Sequence, residues 1–195
     1  MLQPRGRCMH RPQPPGPLAW AAVSDLRSAP APPLSAADHL RGDPAWPLVV
    51  LYADFTCPRC ALTHERLAGA PLRVAFRHFA IAARHPRSVA LACAAEAAGR
   101  QGRFWELHDA LFADPAHTDD PHLWAHVAAL GLDLDRFERD RRCEDVRSVV
   151  HEQTRAGMRA GLAVTPTLIA DGEIVPGAPD AELIARLTGR INGNP

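Results

Sequence analysis

Two cysteines separated by two residues, Cys57 and Cys60, stand between a stretch typical of a buried strand and a stretch typical of a helix. The apolar run at residues 48–52 predicts the strand, and the leucine spacing within residues 61–67 predicts the helix. Cysteines in the first turn of a helix are expected to be reactive, because unpaired N–H groups and the helix dipole stabilise a thiolate there. Pro58 fits this turn, since a first-turn residue needs no N–H donor. The arrangement predicts a redox-active Cys-x-x-Cys.

Composition indicates a single soluble domain without a nucleic-acid or membrane role. The chain has 195 residues, 22 basic and 22 acidic side chains and an aromatic share of 6%, so it lacks the basic excess typical of nucleic-acid binding. No apolar run approaches the ~20 residues of a membrane span. Within the Pro-rich segment 1–33, residues 1–17 lack the apolar region of a secretion signal, although a misassigned start codon could hide an export signal. We expect segment 1–33 to be a flexible leader before one domain at 34–190, in a cytoplasmic protein.

Three further cysteines do not extend the motif. An odd total of five is unlike a disulfide framework, and a chain of this length does not need one. Cys93 lies in an Ala-rich helical stretch and is expected to be a small buried core residue. Cys143 opens a predicted helix and is expected at the surface, while Cys8 is expected to be a free thiol in the leader. We therefore predict that Cys57 and Cys60 form the only reversible disulfide.

The remaining pattern predicts an α/β domain with a large helical insertion. Residues 38–44 are expected to form a turn into the first strand, and residues 72–79 alternate apolar and polar side chains as in a half-buried strand. Helical patterns then fill about 86–161. Two strands and a helix follow, at 167–170, 173–175 and 180–187. The order β-α-β, helical insertion, β-β-α fits a single α/β domain.

This order resembles the thioredoxin fold interrupted by a helical subdomain, and the motifs make the resemblance specific. The chain is similar to the DsbA-like branch of the thioredoxin superfamily, in particular to the bacterial group with Asp-aromatic-x-Cys-Pro-x-Cys, here residues 54–60. Further matches lie in order within 38–187, at 77–79, 85–86, 102–112, 130–133 with Phe137, and 164–168. The resemblance implies a thioredoxin-like α/β fold and a protein dithiol–disulfide oxidoreductase that needs no cofactor.

The resemblance also implies roles for individual residues. Cys57 would attack a substrate disulfide, or be attacked when the enzyme oxidises a dithiol, and Cys60 would resolve the mixed disulfide. Pro166 would be cis and lie beside the cysteine pair, which leaves the backbone of Thr165 free to pair with an extended substrate strand. Through its charge, Arg59 is expected to lower the pKa of Cys57.

Two positions depart from the family pattern. The family usually carries a buried acid six residues before the first cysteine, as a proton acceptor for the second thiol, and this chain has Leu51 there. Asp54 is the nearest carboxylate, and we expect it to face the end of the strand. Val164 stands where the family tends to have glycine and would narrow the groove over the active site. His78 and His85 match family positions and are expected to have structural roles.

The sequence leaves the direction of exchange open, because the potentials of thioredoxin and DsbA differ by about 150 mV, or roughly 7 kcal/mol for two electrons. Oxidase, reductase and isomerase roles all fit. The expected partners are protein or peptide thiols and disulfides, with glutathione or a thioredoxin-type protein as the redox partner. The protein is expected to be a monomer or a weak homodimer.

Two functions of other classes also stay open. A zinc-binding module could use Cys57, Cys60 and His64, although a structural site needs a fourth ligand. A glutathione-dependent transferase or isomerase could use the same scaffold, although such enzymes normally have a lone serine or cysteine at the position of Cys57. The intact cysteine pair favours the oxidoreductase over both.

Overall fold

Residues 30–189 are described by the computed structural model, so the leader expected at 1–33 lies outside the described residues except for 30–33. Within this range the strands are β1 (His39–Arg41), β2 (Leu48–Ala53), β3 (Arg73–His78), β4 (Thr167–Ala170) and β5 (Glu173–Pro176). The helices are α1 (Pro58–Leu67), α2 (Ser88–Gly99), α3 (Phe104–Ala113), α4 (Asp120–Ala129), α5 (Leu134–Asp140), α6 (Glu144–Arg159) and α7 (Ala181–Gly189). None of these helices combines the length and the apolar character that a bilayer crossing requires.

The five strands form one mixed sheet in the order β1-β3-β2-β4-β5. β2 and β3 are parallel, and the other neighbouring pairs are antiparallel. Tyr52 near the end of β2 pairs with Thr167 at the start of β4. Because the two strands run in opposite directions, the residues just before β4 lie beside those that follow β2. This pairing brings residues 165–166 next to the Cys-x-x-Cys.

The first strand corrects the expectation of a turn at residues 38–44, because β1 forms there and pairs with β3. The His39 ring stacks on Phe104 with centroids 3.4 Å apart, and its Nε2 lies 2.9 Å from Oε1 of Glu96. The Nε2 of the buried His78 is also 2.9 Å from this oxygen, so His78 has a structural role as a partner of Glu96. A strand of three residues is too short to show an alternating pattern, and its contacts are with residues distant in sequence.

Five helices, α2 to α6, lie between β3 and β4, and α2 is buried along most of its length. Cys93 on α2 is 4% exposed, which confirms it as a core residue. Cys143 precedes α6 and is half-buried against the cluster that contains Cys93, so it is less exposed than expected. A Cβ at Gly157 of α6 would lie only 2.8 Å from Cδ2 of Phe79. Glycine therefore permits the close approach of α6 to the sheet.

Arg77 on β3 ties the residues that precede β1 to the sheet. Its guanidinium donates hydrogen bonds to the carbonyl oxygens of Pro32 and Pro33, both at 2.8 Å, and to the Asp38 carboxylate at 2.6 and 2.8 Å. Another hydrogen bond reaches the Tyr52 hydroxyl at 3.1 Å. The side chains of Arg77 and Asp38 are 4% and 1% exposed. Charges buried to this degree are tolerated because they are paired and hydrogen-bonded.

Candidate active site

Cys57 and Cys60 lie where β2 passes into α1. The backbone of Cys57 is extended (φ −92°, ψ 117°) at the N-cap position, and Pro58 is the first residue of the helix. Cys57 is half-buried, Cys60 is 1% exposed, and both thiols are free. The structure therefore contains a reduced pair in which solvent reaches one sulfur and not the other.

The two thiols have opposite acid strengths. The pKa of Cys57 is lowered to about 5, first by a hydrogen bond from the Cys60 thiol, against the opposing effect of burial, and further by the backbone N–H groups of Cys60 and Arg59. The pKa of Cys60 is raised, first by the same hydrogen bond and then by burial. At neutral pH the pair therefore holds one proton, which lies on Cys60, and Cys57 is a thiolate.

Arg59 lies in the first turn of α1, and its backbone N–H contributes to the lowered pKa of Cys57. A further contribution from its charge stays a prediction. The guanidinium lies over the residues that follow β5, with Nη2 3.4 Å from the position of a Cβ at Gly177. Arg59 is exposed, so solvent and salt screen its charge. The second thiol makes the largest contribution to the acidity of Cys57, and Thr165 and the first helical turn add to it.

The segment before β4 lies against Cys57. The Thr165–Pro166 peptide bond is cis, and the Thr165 carbonyl oxygen lies 3.5 Å from Cys57 Sγ. The Pro166 carbonyl oxygen accepts a hydrogen bond from the Gly177 N–H at 2.8 Å, which fixes the segment to the end of β5. Val164 is 42% exposed, so the segment also presents an apolar side chain to solvent.

Asp54 is 5% exposed, and its carboxylate lies between the turn that follows β2 and the start of α2. Its carboxylate accepts hydrogen bonds from the Thr56 N–H at 2.9 Å, the Thr56 hydroxyl at 2.8 Å and the Ser88 hydroxyl at 2.5 Å. Its own N–H lies 3.5 Å from Cys60 Sγ. The sequence analysis missed Thr56 and Ser88. A hydroxyl two residues after an aspartate indicates a local turn, but nothing local links Ser88 to Asp54.

His64 does not join the cysteines as the zinc alternative requires. Within residues 30–189, the potential metal ligands that converge are His64, His108 and Asp109, without Cys57 or Cys60. His64 lies one helical turn beyond Cys60 on α1, and its Nδ1 is 3.8 Å from Asp109 Oδ1. The alternative prediction of a zinc site formed by Cys57, Cys60 and His64 is therefore wrong.

A thioredoxin-like sheet that carries a Cys-x-x-Cys at the start of α1 is the arrangement of dithiol–disulfide oxidoreductases. The family model described as a DSBA-like thioredoxin domain matches residues 48–188. The chain therefore belongs to the DSBA-like thioredoxin family, which confirms the resemblance and the fold expected from the sequence. Thiol–disulfide exchange is the chemistry that this fold supports.

Solved structures with the same fold come from several bacteria. A thioredoxin-like oxidoreductase from Silicibacter pomeroyi DSS-3 matches with a TM-score of 0.72 at 22% identity, over 81% of this chain and 94% of that chain. The thiol-disulfide exchange protein alpha-DsbA2 from Wolbachia pipientis matches with a TM-score of 0.69 at 18% identity, over 88% of this chain and 91% of that chain. At these identities the likeness shows the fold alone.

The curated relatives are much longer proteins. The Na(+)/H(+) antiporter NhaA 1 of Mycobacterium sp. (strain KMS) is 34% identical over 158 residues, which are 76% of this chain and 26% of the relative. The protein of that name from Salinispora arenicola (strain CNS-205) is 34% identical over 165 residues, 80% of this chain and 25% of the relative. The chain thus spans about a quarter of the length of these relatives, and antiport is named for those whole proteins.

Proposed function

We propose that this chain exchanges its Cys57–Cys60 dithiol or disulfide with protein thiols through a mixed disulfide on Cys57. In the reducing direction, the Cys57 thiolate attacks a substrate disulfide, forms a new S–S bond and releases one substrate sulfur as a thiolate. Cys60 then loses its proton and attacks Cys57 Sγ, which closes the Cys57–Cys60 disulfide and releases the second substrate sulfur. Two electrons pass from the enzyme to the substrate, and the oxidising direction is the reverse.

The observation that carries this proposal is the difference between the two sulfurs. Substrate can reach Cys57, and its pKa of about 5 makes it ionised at neutral pH and, in the oxidising direction, a good leaving group when a second substrate thiolate attacks the substrate sulfur of the mixed disulfide. Cys60 is buried and hydrogen-bonded to Cys57. A buried thiol in this position can attack Cys57 Sγ in a mixed disulfide but cannot reach a free substrate. The pair suits a nucleophile and a resolving thiol.

Protein and peptide substrates suit the surface beside Cys57. The Val164 carbonyl oxygen already accepts a hydrogen bond from the Thr167 hydroxyl at 2.7 Å, so the backbone of Thr165 is the better group for pairing with a substrate strand. The exposed Val164 side chain would contact apolar substrate side chains. Asp54 supports this surface from inside, because its hydrogen bonds fix the turn that leads to Cys57.

The acidity of Cys57 supports a reduction potential between those of thioredoxin and DsbA. A more stable thiolate favours the reduced form and makes the disulfide more oxidising. Thioredoxin combines a pKa of about 7 with about −270 mV, and DsbA combines about 3.5 with about −120 mV. Interpolation to the Cys57 value of about 5 gives roughly −180 mV. Equilibration with glutathione measures this potential, and a value below that of thioredoxin would contradict it.

Trapping of the intermediate tests the mechanism. In Cys60→Ser, the mixed disulfide on Cys57 cannot be resolved, so a peptide disulfide should leave stoichiometric peptide on Cys57, which mass spectrometry detects. Cys57→Ser should trap none. Cys93→Ser is the control and should react as wild type, because Cys93 is buried and burial raises its pKa to about 11. Peptide trapped on Cys93 or Cys143 would overturn the proposal.

The same variants distinguish a glutathione-dependent transferase. A transferase that uses one cysteine would keep its full turnover in Cys60→Ser, whereas the proposed exchange would stop at the mixed disulfide. Glutathione and a thioredoxin-type protein are both proposed as redox partners, and the equilibration experiment above tests the first of them directly. A cytoplasmic location and a monomeric or weakly dimeric state stay predictions.

A further inference from the structure

A second polar cluster lies on α1, one turn beyond Cys60. It consists of His64 on α1 with His108 and Asp109 on α3, and each residue offers a ligand atom within 4.8 Å of the others. Asp109 Oδ1 is shared, because it lies 2.9 Å from His108 Nδ1 and 3.8 Å from His64 Nδ1. Two imidazoles and one carboxylate are a donor set that suits zinc and related ions.

The cluster opens onto a cavity of about 470 Å³ between α1, α3 and the sheet. Much of the cavity wall is apolar and includes Trp46 and Leu51, while His64, His108 and Asp109 supply polar groups on the same wall. A space of this size accommodates water molecules or a small ligand. An ion bound by the three side chains would therefore have room for a non-protein ligand.

His108 is the member of the cluster that packing alone does not explain. It is 4% exposed, and the ring centroids of Phe76 and Phe112 lie 4.8 and 4.9 Å from its own. Its Nε2 is buried and has no hydrogen-bond partner within the described residues. A buried polar atom without a partner is costly. His108 would bind an ion through Nδ1, which faces Asp109 Oδ1, so the unpartnered Nε2 is not itself a ligand of the ion.

We propose that His64, His108 and Asp109 bind a divalent transition-metal ion of the zinc type, with its fourth position open to the cavity. Zinc–ligand distances of about 2.0–2.2 Å place the donor atoms of a tetrahedral site roughly 3.3 Å apart. Two of the present separations, 2.9 and 3.8 Å, differ from that value by less than a bond length.

Arg41 competes with the ion for Asp109. Its Nη1 and Nη2 donate hydrogen bonds to the two Asp109 oxygens at 2.9 and 2.7 Å, and its guanidinium lies 4.2 Å from the centre of the Trp105 ring. An ion at Oδ1 would displace Nη1 and leave the hydrogen bond from Nη2 to Oδ2. Because like charges repel, loss of the Arg41 charge should strengthen metal binding. A purely structural cluster would instead only lose an ion pair.

Zinc titration of the full chain carrying Cys57→Ser and Cys60→Ser tests the proposal, because this background has no active-site thiols to bind the ion. Competition with a chromophoric chelator should show stoichiometric binding, and cobalt should give the visible spectrum of a four-coordinate site. Loss of an outer partner of a metal ligand weakens binding about 10–100-fold. Loss of a ligand itself in His64→Ala or Asp109→Asn should therefore weaken it at least about a hundredfold.

Two further variants in that background sharpen the test. Arg41→Gln should bind zinc at least about fivefold more tightly, because glutamine can still donate a hydrogen bond to Asp109 while the repulsion from a unit charge at about 4 Å is lost, even at the dielectric constant of water. His122→Ala is the matched control, because His122 is also hydrogen-bonded to an aspartate, Asp119, but lies exposed outside the cluster. It should bind zinc as the parent does.

Circular dichroism checks that each variant is folded. Three results would each overturn the proposal: undiminished binding in both His64→Ala and Asp109→Asn, no binding at millimolar zinc, or weaker binding in Arg41→Gln. Because the background lacks both cysteines of the exchange site, none of these results depends on thiol–disulfide exchange.

Discussion

Two polar sites lie along helix α1, and the pKa values of their side chains are lowered for opposite physical reasons. At the first turn, the Cys60 thiol and backbone N–H groups donate hydrogen bonds to Cys57 and favour its charged form. Further along the helix, burial disfavours the charged forms of His64 and His108. A lowered pKa therefore leaves an ionised nucleophile at the first site and uncharged bases at the second. The direction of a shift alone does not reveal what a site can do.

Leu51 connects the two sites, because it packs in the same core cluster as Cys60 and lines the cavity beside His64. Leu51→Glu places a carboxyl group where the family usually has one. We expect it to shorten the lifetime of the mixed disulfide near neutral pH, since the acid can accept the Cys60 proton. It should also lower the free energy of unfolding by roughly 2–4 kcal/mol, through lost packing and burial of a polar group.

Leu51→Gln is the matched control, because it has a similar shape and no acid. Rapid-quench measurement of the mixed disulfide and urea unfolding provide the two readouts. Equal lifetimes in the Glu and Gln variants would mean that the Cys60 proton leaves by another route. Leu51 would then be a core residue only.

His108 should make the metal-free protein less stable as the pH falls from 6.5 to 4. Its pKa is lowered from 6.5 to about 4, chiefly by burial, so its stabilising effect is complete above pH 6.5 and is lost as the pH falls through the folded-state value. Relative to His108→Leu, wild type should lose about 3 kcal/mol of unfolding free energy over this interval. Urea unfolding at each pH, with a chelator present, measures the difference. Parallel pH curves would show that His108 is not held neutral.

The contrast at the first turn is tested by removing the Cys60 donor. Cys60→Ala should raise the pKa of Cys57 by about 1–2 units, because a hydrogen bond to a charged group contributes roughly 1.5–3 kcal/mol. Cys60→Ser retains a hydroxyl donor and should raise it less. The ultraviolet absorbance of the thiolate, followed against pH, gives both values. If Cys60→Ala left the pKa unchanged, the helix N–H groups alone would account for the thiolate.

The fold and the cysteine pair are predictable from the sequence because the residues that indicate them are close together in the chain or form segments in a characteristic order. Cys57, Pro58 and Cys60 are adjacent in the chain, and most strands and helices are long enough for their periodicity to show. β1 is the exception, since its three residues carry no periodic pattern. Its position depends instead on long-range contacts such as the stacking of His39 on Phe104.

The features that the sequence did not predict depend on contacts between side chains that are distant in the sequence. Ser88 reaches Asp54 from 34 residues away, and the sequence has no pattern that joins them. The spacing of His64 after the cysteines is visible along one helix and favoured the wrong partners. His108 and Asp109 meet His64 only because α3 packs beside α1.

The hydrogen bonds of Arg77 extend the contacts of the domain to residues that precede β1. Because this guanidinium donates to the Pro32 and Pro33 carbonyls, backbone that lies before the first strand belongs to the folded domain. A shortened chain that begins at residue 34 would leave two donors of a buried arginine without these acceptors. Lysine could not replace it, because an ammonium group has three donors and lacks the planar fork. The contacts of the domain therefore extend to Pro32, beyond residue 34, where the composition predicts its boundary, and beyond residue 48, where the family match begins.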